Sequence, residues 1–193
     1  TITGINDAMI SPFARLIRTH NLAYWTIGLL MMVISWFFWP SPAVALMGAV
    51  LLPVALRVGL PAIGVAMAMN LFGHGIALSS DFVIQGAPKL TADAAGLPVA
   101  DVVSASVPLV FVMGIVTTVT AFIFLRRDMK AGKVLVTNEL AATVEEAQPT
   151  KLLLSSRAKK GLAVLIPILF IADVAAMSYL KLQGGDATAL IGG

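Results

Sequence analysis

A scarcity of charged side chains is the feature that most constrains this sequence. Only 12% of its residues are charged and 59% are apolar, whereas an ordinary soluble domain has about 25% charged and about 45–50% apolar residues. The stretch from Leu22 to Trp39 contains no charged side chain, and a helix needs about 20 mostly apolar residues to cross a bilayer. The composition therefore excludes a soluble enzyme, a secreted disulfide scaffold and a disordered tail, and it indicates a membrane protein.

Apolar segments along the chain predict an all-α membrane protein with about five transmembrane helices. The predicted spans are 22–39, 43–56, 62–78, 102–125 and 161–182. Tyr24 and Trp25 at one end of the first span, and Trp36 and Trp39 at the other, are typical of side chains at membrane interfaces. The two prolines of segment 40–42 predict a tight turn before the second span, because both cannot sit inside a helix.

The stretch 79–101 predicts a re-entrant or surface-lying hairpin. It is too polar to cross a bilayer, although alanine and other apolar residues recur in it. Its predicted helix breakers are Gly86, Pro88, Gly96 and Pro98. Glycines in segment 73–75 also weaken the third span, so we expect that helix to break before the hairpin begins.

Basic residues predict the orientation in the membrane. Segment 126–160 holds eight basic and four acidic residues, and lysine and arginine concentrate in cytoplasmic loops. With the N-terminal side in the cytoplasm, this loop and Arg15, Arg18 and Arg57 put eleven of the 13 basic residues on the cytoplasmic side. If segment 62–100 instead entered and left the bilayer on one face, the long loop would lie outside. The bias favours a multi-pass protein of a bacterial inner membrane, and it explains the net charge of +3 without nucleic acid as a partner.

Asn70, His74 and Asp81 form the most informative polar group of the sequence. Their spacings of four and seven residues would place them on one face of a continuing helix. Ionisable groups at membrane depth are costly, and they persist where they face a bundle interior or a water-filled cavity. Gly73 and Gly75 would fray the backbone around His74 and free its polar groups for a ligand. The alternative interpretation is that Asp81 lies at the membrane interface and His74 is a packed histidine.

Neighbouring polar residues complete the candidate site. The predicted substrate- or ion-binding residues are Asn70, Gly73, His74, Gly75, Ser79, Ser80, Asp81 and Gln85. Asp173, twelve residues into the last predicted span, is the deepest formal charge and should face protein or water. Without cysteine, and without the HExxH, GxSxG, phosphate-loop or dinucleotide motifs, the sequence predicts neither enzyme, metal site nor cofactor.

The stretch NLFGHGIALSSDFVIQGAPKLTADAAGLPVADVVSASVPLVFVMGIVTT, from residue 70 to residue 118, resembles a unit of the ion transporter superfamily of secondary carriers. That superfamily includes citrate–metal symporters, gluconate-type permeases and some sodium/proton antiporters. Its recurring pattern is a helix broken at a Gly/Ser/Asp-rich point, a hairpin with a proline, a small-residue link and a long helix. The closing LQGGDATALIGG, residues 182–193, is similar to the opening of a second repeat in such carriers.

The resemblance implies a first repeat over residues 1–125, a cytoplasmic loop over 126–160 and the start of a second, inverted repeat over 161–193. Carriers of this kind usually have ten or more spans, so we expect this sequence to be a piece of a longer transporter. The implied activity is alternating-access transport of a small organic anion, coupled to Na⁺ or H⁺. The expected partners are the lipid bilayer, the anion and a second copy in a homodimer. The alternative is a membrane scaffold or accessory subunit that transports nothing itself.

Overall fold

The computed structural model describes residues 16–37, 40–134 and 156–182, and these residues contain helices and turns but no β-strand. The helices are α1 (His20–Phe37), α2 (Pro40–Arg57), α3 (Ala62–Ser80), α4 (Gly86–Ala95), α5 (Val99–Lys130) and α6 (Ser156–Leu180). The prediction of an all-α fold is confirmed for these residues. Trp39, Arg15, most of the basic loop and the glycine-rich segment 183–193 lie outside them.

Helix α1 lies at the centre of the bundle and packs against both α2 and α3. Its residues Tyr24, Ile27 and Met31 are fully buried, as are Met47 and Leu51 of α2. Between apolar helices in a membrane, close van der Waals packing rather than exclusion of water supplies most of the attraction. The packing of these buried side chains along one face of α1 therefore sets the arrangement of α1, α2 and α3.

The structure at the two prolines that begin α2 differs from the prediction. The helix begins at Pro40 and includes the second proline of segment 40–42 in its first turn, so the predicted tight turn does not occupy these residues. The first four N–H groups of a helix have no partner within it, and a proline placed there loses no hydrogen bond. Pro53 also lies inside α2.

Helix α3 changes its hydrogen-bonding pattern halfway along. Ala62–Met69 is α-helical, Asn70–Ala77 is π-helical and Leu78–Ser80 is α-helical again. The fraying predicted at segment 73–75 is therefore wrong, because the backbone stays helical through both glycines in the wider π form. The helix ends instead at Asp81, whose φ of 41° is left-handed.

The stretch predicted as a hairpin is a short helix between two turns. The first turn covers residues 81–85 and the second, at Gly96, has a left-handed φ of 65°, a common way for a helix to end. Gly96 and Pro98 separate α4 from α5 as predicted, with Pro98 immediately before the first residue of α5. Gly86 begins α4 instead of breaking a helix.

Two helices of the described chain are long and apolar enough to cross a membrane. They are Ala62–Ser80, whose 18-residue apolar window has a mean hydropathy of 1.4, and Val99–Lys130, whose 18-residue apolar window has a mean hydropathy of 2.3. Helix α5 has 32 residues and is about 48 Å long at 1.5 Å per residue, longer than the roughly 30 Å hydrocarbon core of a bilayer. The prediction of five spans stays a prediction, since α2 and α6 contribute only shorter apolar stretches, Ala43–Arg57 and Ile171–Leu180.

Candidate functional site

A cavity of about 400 Å³ lies between α2 and α3, and we call it the α2–α3 cavity. Its described lining consists of Val44, Gly48, Leu52, Ala62, Val65, Ala66, Met69, Asn70 and His74. The cavity therefore contains two of the residues predicted from the sequence, and both lie on the π-helical part of α3. Ligand pockets for small molecules commonly have volumes of about 300–1,000 Å³.

His74 contributes a buried polar atom without a hydrogen-bond partner. Its Nδ1 is buried and makes no hydrogen bond, although the residue as a whole is only half-buried. Leaving a buried polar atom unpaired costs about 1–3 kcal/mol, so such atoms in native proteins call for an explanation.

Asn70 lies four residues before His74 and is exposed. The π-helical hydrogen bonds run from residue i to residue i+5, so a spacing of four is less than one full turn here. Both side chains still line the cavity. Single-turn π-helical segments inside α-helices are rare and occur frequently at functional sites, which adds weight to this part of α3.

The two glycines that flank His74 have different surroundings. A methyl group on Gly73 would lie 2.8 Å from Met31 Cε and 3.1 Å from Ser35 Oγ, both on α1. On Gly75 it would have no contact closer than 3.7 Å. Gly73 therefore allows α3 to pack closely on α1. The prediction that both glycines fray the backbone is wrong, and at Gly73 the absence of a side chain serves helix packing instead.

The hydroxyl groups of Ser79 and Ser80 are engaged within the protein. Ser79 Oγ donates to the carbonyl oxygen of Gly75, one turn earlier. Ser80 is 1% exposed; its Oγ donates to Ala77 O at 3.1 Å and accepts a hydrogen bond from Trp36 Nε1 at 2.8 Å. Ser80 thus ties the end of α3 to α1.

Asp81 caps the turn that leads into α4. Its Oδ1 accepts from the backbone N–H of Gln85 and its Oδ2 from that of Ala87, each at 3.1 Å. A carboxylate is favourable near a helix N-terminus, where unpaired N–H groups carry partial positive charge. Neither Asp81 nor Gln85 is among the described residues that line the α2–α3 cavity, so the structure does not bring the predicted site residues together as one group.

Gln85 is held inside the same turn. Its side-chain Nε2 donates to Phe82 O at 3.1 Å, while its Oε1 is buried without a hydrogen-bond partner. The residue has a left-handed φ of 59°. Contact between Gln85 and an anionic substrate stays a prediction.

Sequence reasoning missed a second, apolar cavity of about 240 Å³ between α1, α3 and α5. Five of its twelve described lining residues are aromatic, namely Trp25, Trp36, Phe72, Phe82 and Phe111. The recurrence of large aromatic residues on three apolar segments is the available signal, but only those of the first span were interpreted, as side chains at the membrane interfaces.

Tyr24 corrects that interpretation directly. It is fully buried, its ring centroid lies 5.1 Å from that of Phe122, and its hydroxyl donates to Thr118 O at 3.1 Å. A tyrosine at a membrane interface would instead keep its hydroxyl in the polar region. Tyr24 therefore joins α1 to α5 inside the protein.

Comparison with known proteins gives the chain a class. It is 60% identical over 193 residues to an uncharacterized membrane protein, YhfA, of Bacillus subtilis (strain 168). The match covers 100% of this chain, which spans 41% of the relative's length. No family model and no solved structure matches the chain. The helical fold, the two apolar helices and this similarity place the chain among α-helical membrane proteins.

Proposed function

We propose that this chain forms part of a secondary transporter that moves a small organic anion of the carboxylate class across a bacterial inner membrane, coupled to Na⁺ or H⁺. The observation that carries the proposal is the imidazole of His74, whose Nδ1 is buried and unpaired beside the α2–α3 cavity. Ionisable groups within membrane-spanning helices are rare and commonly mark substrate or ion pathways.

The chemistry of histidine supports a role in coupling. An imidazole gains or loses a proton near neutral pH more readily than any other unperturbed side chain. When protonated it donates from both nitrogens and attracts a carboxylate, whereas its neutral form leaves one nitrogen as an acceptor. Binding of an anion and binding of a proton would therefore favour each other at the same residue.

The position of His74 on a π-helical segment supports movement at the site. The wide turns of Asn70–Ala77 lie within an otherwise α-helical element, and the two hydrogen-bonding patterns differ by one residue per turn. Secondary carriers commonly place irregular helix segments at their binding sites, where backbone groups line a cavity. Alternating access would require such a segment to change its exposure between the two sides of the membrane.

The chain offers a matched control for testing this proposal, because it has two histidines. His20 begins α1 and is not among the described residues that line the cavity. Full-length protein containing this chain would be reconstituted in liposomes, and uptake of labelled carboxylates would be measured under imposed pH and Na⁺ gradients. We expect His74→Gln to reduce gradient-driven uptake at least tenfold and His20→Gln to leave it near the unmodified rate. Equal uptake by both variants would contradict the role of His74, and no carboxylate uptake by the unmodified protein would contradict transport.

A scaffold or accessory subunit is the second candidate, favoured by the exposed face of α5. Only Gly114, Thr118 and Leu125 are buried along its 32 residues, while Leu109 and Phe111 are 66% and 60% exposed. Such a face suits another membrane protein as well as lipid. Copurification with an unrelated subunit, together with no transport of its own, would favour this candidate over the first.

A further inference from the structure

The described walls of the α2–α3 cavity are apolar except at one end. Val44 and Leu52 of α2 and Val65 and Met69 of α3 contribute hydrocarbon or thioether surface, whereas Asn70 and His74 contribute the polar groups. None of the described lining residues carries a formal charge from aspartate, glutamate, lysine or arginine. This distribution restricts which carboxylates the cavity can hold.

The polar and apolar surfaces are separated along the axis of α3. Ala62 and Val65 lie in its first turns, and His74 lies nine residues after Val65, about two turns further along the helix. Asn70 is exposed and His74 half-buried, so both residues remain partly accessible to a ligand. A ligand with one polar end and an apolar body would match both regions at once.

We infer that the substrate is an amphipathic monocarboxylate, with one carboxylate and an unbranched apolar chain. This inference rests on the proposed transport function and names its substrate class. The carboxylate would lie at Asn70 and His74, where the amide and the imidazole can donate hydrogen bonds. The alkyl chain would lie against Val44, Leu52 and Val65, which gain by contact with hydrocarbon.

Carboxylates of other classes fit the same walls less well. A second carboxylate would lie against apolar side chains with no cationic partner, and burying an unpaired charge is strongly unfavourable. A polyhydroxylated acid would leave several hydroxyl groups without hydrogen bonds in the apolar region, which is also unfavourable.

Three acids with six-carbon chains provide the test, because they differ in polarity but not in chain length. Hexanoate has one carboxylate, adipate has two, and gluconate has one together with hydroxyl groups. Binding of each to full-length protein in lipid nanodiscs would be measured by calorimetry, with empty nanodiscs subtracted. We expect hexanoate to bind at least tenfold more tightly than adipate or gluconate.

Gly48 offers a variant that fills part of the cavity. It lines the cavity, and a methyl group placed on it would have no neighbour within 4 Å. Ala45, an exposed residue on the same helix, is the matched control. We expect Gly48→Leu to weaken hexanoate binding at least tenfold and Ala45→Leu to leave it unchanged.

The outcomes separate this inference from the function on which it rests. Adipate or gluconate binding as tightly as hexanoate, or hexanoate binding unaffected by Gly48→Leu, would overturn the inference. If His74-dependent, gradient-driven uptake of a dicarboxylate were still observed, the transport function would stand. Absence of binding by all three acids, together with absence of any carboxylate uptake, would overturn both.

Discussion

Replacing Gly73 with alanine tests how closely α3 packs on α1. The added methyl group would lie 2.8 Å from Met31 Cε, 2.9 Å from Met31 Cγ and 3.1 Å from Ser35 Oγ. Met31 is fully buried, so its side chain has little room to move away. The same substitution at Gly75 meets nothing closer than 3.7 Å, which makes it a matched control within the same helical segment.

The expected magnitude follows from two opposing contributions. Overpacking a close-packed contact typically costs about 1–3 kcal/mol, whereas replacing a helical glycine with alanine gains up to about 1 kcal/mol. For Gly73→Ala the net result is a loss of roughly 1–2 kcal/mol of unfolding free energy. Gly75→Ala keeps only the favourable contribution and should be neutral or slightly stabilising.

Unfolding of the purified protein in mixed micelles by added SDS, followed by tryptophan fluorescence, measures both variants. Shortening the opposing side chain gives an independent check, because Met31→Ala would remove the atoms that the new methyl group meets. In the Met31→Ala background we expect Gly73→Ala to cost less than it does alone, a coupling typical of residues in contact. If Gly73→Ala proved as stable as Gly75→Ala, the close approach of α1 and α3 at this residue would be refuted.

Two further substitutions test the contacts that hold α1 and the α3–α4 turn in place. Tyr24→Phe removes the hydroxyl that donates to Thr118 O at 3.1 Å and should lower the unfolding free energy by about 0.5–1.5 kcal/mol. Tyr179, 87% exposed, is the control, and equal losses for both phenylalanine variants in SDS titration would contradict the role of this bond. Asp81→Ala should destabilise the protein by roughly 1–3 kcal/mol, because it removes the acceptor of two N–H groups and places alanine at a left-handed φ. Asp81→Asn, which keeps one acceptor oxygen and tolerates that φ, should lose less; a larger loss for asparagine than for alanine would exclude capping as the role of this residue.

Rules that apply to short segments of sequence were sufficient to predict that the chain is helical and where several helices begin or end. The apolar runs predicted helices where α1, α2, α3 and α5 occur, and Gly96 with Pro98 correctly marked the turn before α5. These features depend on short segments, where the hydropathy of a run or the backbone preference of glycine and proline decides the outcome.

The state of α3 was not predictable in the same way. Glycines at 73 and 75 favour a break on propensity alone, but Gly73 lies against Met31, more than forty positions away in the chain. That contact favours a continuous helix and depends on the fold as a whole. The composition of the segment does not distinguish π-helical from α-helical hydrogen bonds. The residue spacing was therefore interpreted as α-helical, and this interpretation placed Asn70, His74 and Asp81 on one face.

Burial of aromatic residues was likewise decided by tertiary packing. Tyr24 and Trp25 near the end of a predicted span fit an interfacial belt equally well before the neighbouring helices are known. In the fold, Trp25 lies with its ring centroid 5.9 Å from that of Phe72 and 5.4 Å from that of Phe122. The candidate site was therefore predicted in part, with Asn70 and His74 together on the α2–α3 cavity and Asp81 in a separate turn.

The π-helical segment also affects how this protein should be compared with its relatives during evolution. A hydrogen bond from residue i to residue i+5 encloses one residue more than its α-helical counterpart, as if a single codon had been inserted into an ordinary helix. A homologue that lacks one residue between Asn70 and Ala77 could close the segment into an α-helix. Because the wider turn takes up the extra residue locally, the later residues of α3 would keep their orientation, and the counterpart of Ser80 would still face Trp36. A one-residue gap at this place in an alignment would thus record the loss of the π-helical segment, with the contact between α1 and α3 retained.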